Sequence, residues 1–109
     1  MSYNVHTIDV FERQAKRHIK KYASLKGEIL TLIKMLKENP EQGIELGKNC
    51  YKIRISIASK GKGKSGGARV ITNVVVSEND VYLLAIYDKS EKDNLSDKEL
   101  QQLLNSIPR

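Results

Sequence analysis

The sequence predicts an α+β domain in the order strand–helix–helix–three antiparallel strands–helix, with a mostly antiparallel sheet and helices packed on one face. Three observations carry this expectation. In YKIRISIA (51–58) the apolar period is two: Tyr51, Ile53, Ile55 and Ile57 share one face, and Lys52, Arg54 and Ser56 share the other. The runs ARVITNVVV (68–76) and VYLLAIY (81–87) are apolar on both sides, as in covered central strands, and are joined by the tight turn Ser77-Glu78-Asn79-Asp80. Before and after these runs, apolar residues recur at helical spacing.

Along the chain, YNVHTIDV (3–10) reads as a first strand, with Val5, Ile8 and Val10 apolar. A first helix follows, in which Phe11, Ala15, Ile19 and Tyr22 face inward and Arg13, Lys16, Arg17 and Lys20 face outward. Ser24 is placed to cap a second helix with the stripe Leu25, Ile29, Leu32, Ile33 and Leu36, which Asn39-Pro40 ends. Residues 39–49, with Pro40, Gly43 and Gly47, read as a loop. After the three strands, Ser96-Asp97-Lys98-Glu99 forms a capping box for a last helix with Leu100, Leu103, Leu104 and Ile107 inward. Consecutive strands with short links pair antiparallel. The isoleucine face of 51–58 then lies against the first two helices, and Lys52 and Arg54 look into an open face.

A chain of 109 residues is expected to be one domain spanning 1–109, with a single core. The formal charge of +6 favours an anionic partner, although charge alone is weak evidence for nucleic acid. Cys50 is the single cysteine, so neither an internal disulfide nor a cysteine metal cluster is available, which points to a reducing, cytoplasmic setting. The start MSYNVHTIDV lacks the pattern of a signal peptide, and no apolar run approaches the ~20 residues that span a bilayer. No cofactor or metal motif and no internal repeat appears.

Between the second and third strand-like runs lies SKGKGKSGGAR (59–69). Its Gly63-Lys64-Ser65 copies the end of a phosphate-binding P-loop, but the required earlier glycine is Ala58 and a β-branched run follows where a helix should open. ATP or GTP binding is therefore excluded. A flexible linker fits poorly, because the segment joins two strands of one small sheet. A long basic hairpin loop remains, either a solvated loop that aids solubility or a grip on phosphates. Lys52 and Arg54 on one sheet face, with Arg69 opening the next strand, favour the grip, since clustered like charges repel unless they meet an anion.

These segments, Cys50-Tyr51-Lys52-Ile53-Arg54-Ile55, KGKGKSGGARVIT (60–72) and YLLAIYDKSEKDNL (82–95), resemble the RelE/ParE toxin superfamily, closest to the HigB-like branch of RelE-type toxins of type II toxin–antitoxin systems. The resemblance covers nearly the whole chain. It implies a compact sheet flanked by helices and a ribosome-dependent endoribonuclease that cuts mRNA in the A site, with the RNA's own 2′-hydroxyl as nucleophile. It also implies the ribosome, mRNA and a cognate antitoxin as partners. Carried over residue by residue, the active-site candidates are Lys52, Arg54 and Arg69, together with Lys89 or Lys92 beyond the last strand.

Such cleavage needs a base for the 2′-hydroxyl, cations for the phosphorane and an acid for the leaving 5′-oxygen. Arg69 suits the non-bridging oxygens, because guanidinium binds them bidentately. Lys52, in its neutral form, is the base candidate, and Tyr87, Lys89 or Lys92 is the acid candidate. Lys60, Lys62, Lys64 and Ser65 on the loop are expected to hold ribosomal or messenger phosphates. Some family members place a tyrosine or histidine beyond the last strand, and this sequence has neither there. His6 and His18 read as structural or surface residues. Two rivals stand beside this reading. One is a ParE-like gyrase poison, for which phosphorane stabilisers have no use. The other is a non-catalytic RNA-binding module, which one Phe and no Trp make less apt for base stacking.

Overall fold

A computed structural model describes residues 2–61, 63, 65–92 and 94–108. The elements run β1 (Asn4–Thr7), α1 (Asp9–Lys21), α2 (Leu25–Glu38), β2 (Ile44–Gly47), β3 (Cys50–Ile55), β4 (Ala68–Val75), β5 (Asp80–Asp88) and α3 (Asp97–Asn105), with short 3₁₀ turns at Ala58–Lys60 and Val76–Glu78. Among the described residues the five strands form one sheet in the order β1-β5-β4-β3-β2. The β2–β3, β3–β4 and β4–β5 pairs are antiparallel, and β1 runs parallel to β5. The α+β class and the mostly antiparallel sheet are those expected from the sequence.

Three features differ from that expectation, each for a local reason. The 39–49 segment is not all loop: Ile44–Gly47 pairs with β3 through a turn at Lys48 and Asn49, both with positive φ (56° and 60°). The strand is only four residues long, and Ile44 and Glu45 are exposed, so it carries no alternating apolar signal. The first strand is shorter than 3–10, because Ile8 already caps α1. Ser24 sits at the start of α2 without capping it by its side chain. Its hydroxyl instead bonds the Ser59 hydroxyl (2.9 Å) and the Glu28 carboxylate (3.1 Å), and the Ser59 and Ala58 N–H groups return to Ser24 and Glu28. The start of α2 is thereby stitched to the turn that follows β3.

The core lies mainly between the sheet and the α1/α2 layer. Phe11, Ala15, Leu25, Ile29, Leu32 and Leu36 form one buried cluster with Ile53, Ile55, Val70 and Ile86. The third helix opens with the expected capping box, Ser96 and Glu99 bonding reciprocally. It departs from the expected packing of the helices on one face and lies on the other side of the sheet: Glu99, Gln102 and Leu103 share a cavity of about 280 Å³ with Ala85 and Tyr87, which alternate away from α1 and α2, and with Val10 and Gln14 at the β5 edge. That second face is therefore partly roofed rather than fully open. At the β5 edge beyond the reach of β1, the Gln14 carboxamide accepts the Ile86 N–H (3.0 Å), which satisfies a strand edge that would otherwise invite another chain.

The β3–β4 connection is a hairpin whose return path leaves no room at Gly67. A Cβ there would collide with the Ile55 carbonyl oxygen and stand 3.0 Å from Ser56 Cα, both backbone atoms. Gly67→Ala is expected to destabilise the fold by about 2 kcal/mol, through backbone displacement at the root of the loop. Urea denaturation checks this; an unchanged midpoint would contradict the close approach.

Candidate nucleic-acid site on the sheet face

Strand register sets the site. Arg54 of β3 pairs with Arg69 of β4, and Arg69 pairs with Tyr87 of β5. Directly opposed residues project to the same face with Cα atoms about 5 Å apart. Lys52 lies two residues along β3 on that face, about 7 Å from Arg54, in the neighbouring row with Ile71 and Ala85. Four of the sequence candidates thus occupy one patch the size of a nucleotide.

Their exposure differs. Arg54 is exposed and Lys52 is half-buried, its ammonium donating to Asn94 Oδ1 (2.9 Å). Tyr87 is buried, and Arg69 is only 2% exposed. The Arg69 guanidinium donates to the Ser65 carbonyl (3.0 Å) and the Ala68 carbonyl (3.3 Å), so the loop folds back over it. Ser65 contributes its backbone oxygen here. Lys89 is exposed, and its N–H donates to the Gly67 carbonyl (3.1 Å). Lys92 is ion-paired with Glu99 across the start of α3.

The loop lysines divide. Lys62 and Lys64 lie outside the described residues. Lys60 is not a free point charge on a pliant loop: its side chain is 16% exposed, and its ammonium pairs with Asp88 Oδ1 at 2.5 Å. Asp88 follows Tyr87 on β5 and so points to the opposite, helix-covered face. There Tyr22 donates its hydroxyl to Asp88 Oδ2 (2.7 Å), the Ser90 N–H donates to Oδ1 (3.0 Å), and the Lys60 ammonium lies 5.6 Å from the centre of the Tyr22 ring. Asp88 and Asn94 carry no motif in the sequence, and Tyr22 reads there only as an inward-facing helix residue; strand alternation past Tyr87 is the signal that places an acid on the core side.

The histidines stand apart from the basic patch. His6 stacks on Tyr82 and bonds Asp80 (2.9 Å) near the opposite end of β5. His18 is buried in α1, where burial and then the Arg17 guanidinium lower its pKa, against the opposing pull of Glu91.

Burial pushes the Asp88 carboxyl up, but the hydrogen bonds from Lys60, Ser90 and Tyr22 outweigh it and hold the pKa well below the usual carboxylate range. The ionised form is thus favoured in the folded chain. Its contribution is complete above the unfolded pKa near ~4 and is lost as pH falls from there toward the folded value. Asp88→Asn should therefore be clearly less stable than the native chain at pH 7, with the difference shrinking as the pH drops below ~4. Denaturation midpoints of the two proteins at pH 7, 4 and 3 check this, and a pH-independent difference would contradict it.

Among the described residues no group of His, Cys, Asp and Glu is arranged to hold a metal ion, and no helix is long and apolar enough to cross a membrane. The fold is similar to that of E. coli toxin RelE. A free-state double mutant of that toxin superposes with a TM-score of 0.63 at 15% identity, covering 99% of this chain and 100% of that one. The isolated E. coli RelE toxin superposes with a TM-score of 0.57 at 16% identity, covering 97% and 100%. At such identities the likeness is one of fold. The sequence itself matches the profile of the RelE toxin of the RelE/RelB toxin–antitoxin system over residues 4–106. That match spans all the elements from β1 to α3, and on it the chain belongs to the RelE toxin family.

Proposed function

We propose that this toxin is a ribosome-dependent endoribonuclease that cuts mRNA in the A site, driving attack of the RNA's 2′-hydroxyl on the adjacent phosphate. The observation that carries the reading is the cationic patch: exposed Arg54 directly opposite Arg69, with Lys52 and Tyr87 beside them on one face. A gyrase-binding surface has no need of cations converging on a single phosphate, and a passive RNA binder would call for exposed aromatic platforms.

In this reading Arg54 meets the scissile phosphate first, as an exposed guanidinium with a bidentate fork. Arg69 adds its charge when the loop yields, exchanging the Ser65 carbonyl for a non-bridging oxygen. Lys52, held by Asn94, is the candidate base for the 2′-hydroxyl. For the leaving 5′-oxygen, Tyr87 is favoured over Lys92, because Tyr87 is in the arginine row and Lys92 is engaged by Glu99. Lys89 is a further acid candidate, and Lys62 and Lys64 are left to contact the ribosomal or messenger backbone. No cofactor is called for, since the RNA supplies its own nucleophile. A cognate antitoxin, a cytoplasmic site of action and membership of the HigB-like branch complete the proposal.

Arg54→Ala and Lys52→Ala should each lower the cleavage rate on programmed ribosomes by roughly 100-fold while keeping most of the ribosome affinity. Primer extension on a defined message, with ribosome co-sedimentation in parallel, reads both. If the double variant cuts as fast as the native toxin, the site is elsewhere. If the native toxin leaves the message intact and arrests gyrase, the ParE-like reading replaces this one.

A further inference from the structure

We propose that Lys60 is a positioning residue rather than a phosphate contact: clasped to Asp88 and Tyr22, it closes the root of the basic loop and so sets where Arg69 sits. The effect on cleavage rests on the nuclease reading above; the clasp itself does not.

An ammonium group has three donors. That of Lys60 meets Asp88 Oδ1 at 2.5 Å, the Gly66 carbonyl at 3.4 Å and the face of the Tyr22 ring. Its donors are thus turned to the protein interior. Both Asp88 oxygens are engaged as well, Oδ1 by Lys60 and Ser90 and Oδ2 by Tyr22. Lys60 precedes the loop and Gly66 ends it, so one ammonium ties the two arms together.

The loop's return arm is then held at successive carbonyls by separate elements. Ser65 accepts from the Arg69 guanidinium, Gly66 from Lys60, and Gly67 from the Lys89 N–H. Lys60 acts from the helix side of the sheet and Arg69 from the basic side. The same strand end, β5, supplies Asp88 to the clasp and Tyr87 to the arginine row. Below the clasp, the bonds among Ser24, Glu28, Ala58 and Ser59 fix the outgoing arm to α2. Loss of the Lys60 charge would release Gly66, and with it the neighbouring Ser65 carbonyl that holds the Arg69 guanidinium.

The test uses Lys60→Met and Tyr22→Phe in the full-length toxin. Lys60→Met should lower kcat for ribosome-dependent cleavage by about tenfold, the scale of a small misplacement of a reacting group, with KM nearly unchanged. The slope of log affinity for ribosomes against log salt should stay as in the native toxin, whereas loss of a phosphate contact would reduce it by roughly 0.7–0.9. Tyr22→Phe, on the helix side and remote from RNA, should lower kcat in the same direction by a smaller factor. Independently of cleavage, carboxyl NMR should show the Asp88 titration moved upward in Lys60→Met, with shifts at the Gly66 and Gly67 amides. A reduced salt slope with native kcat would overturn the proposal, as would an unmoved Asp88 titration. If the native toxin cuts no message at all, the nuclease reading fails and the NMR result alone decides the clasp.

Discussion

The register of β3, β4 and β5 is the constraint on which everything else rests. One residue of slip in β4 would send Arg69 into the helix-covered core and bring Val70 or Ala68 to the basic face. The apolar alternation prevents this, because Ile53, Val70 and Ile86 form one buried row and Ile55 and Ala68 lie in the next. The hydrophobic effect on one side of the sheet thus holds two arginines opposite each other on the other side, where they would not otherwise remain. The carbonyls of Ser65 in the loop and Ala68 at the start of β4, which accept from Arg69, offset part of the resulting repulsion.

The basic loop is built as a mobile-looking sequence on an anchored root. Its glycines and lysines suggest freedom, yet both arms are tied: the outgoing arm to α2 through serines and Glu28, the returning arm to β5 and Lys60. Charge in this loop serves two ends. Lys60 neutralises a buried carboxylate, an arrangement that is costly to break from one side because the remaining charge would be stranded. The net charge of +6 therefore overstates what the surface offers to phosphate.

Much of the fold was legible because its strongest signals are periodic. The period-two run at 51–58, the apolar β4 and β5 and the capping box at Ser96 all correspond to the elements seen. What escaped was non-periodic. Ile44–Gly47 is an exposed edge too short to alternate, and the parallel contact of β1 with β5 is a tertiary choice that neither segment encodes alone. For the site, alternation placed Lys52 and Arg54 on one face, and the register adds Arg69 and Tyr87 to it. The inward turn of Lys60 was hidden, since a lysine between Ser59 and Gly61 in a basic run carries no local mark of a buried partner 28 residues away in the chain. The burial of Arg69 was equally hidden, because it arises from the loop folding back.

Messenger mapping addresses the central claim, that the cationic row on the sheet face opposite α1 and α2 cuts RNA on the ribosome. The toxin is expressed briefly in cells and the 5′ ends of transcripts are sequenced. New ends should appear inside translated reading frames, in phase with codons, and should vanish from a message whose start codon is removed. Ends that ignore the reading frame, or transcripts that stay whole while growth stops, would contradict the account.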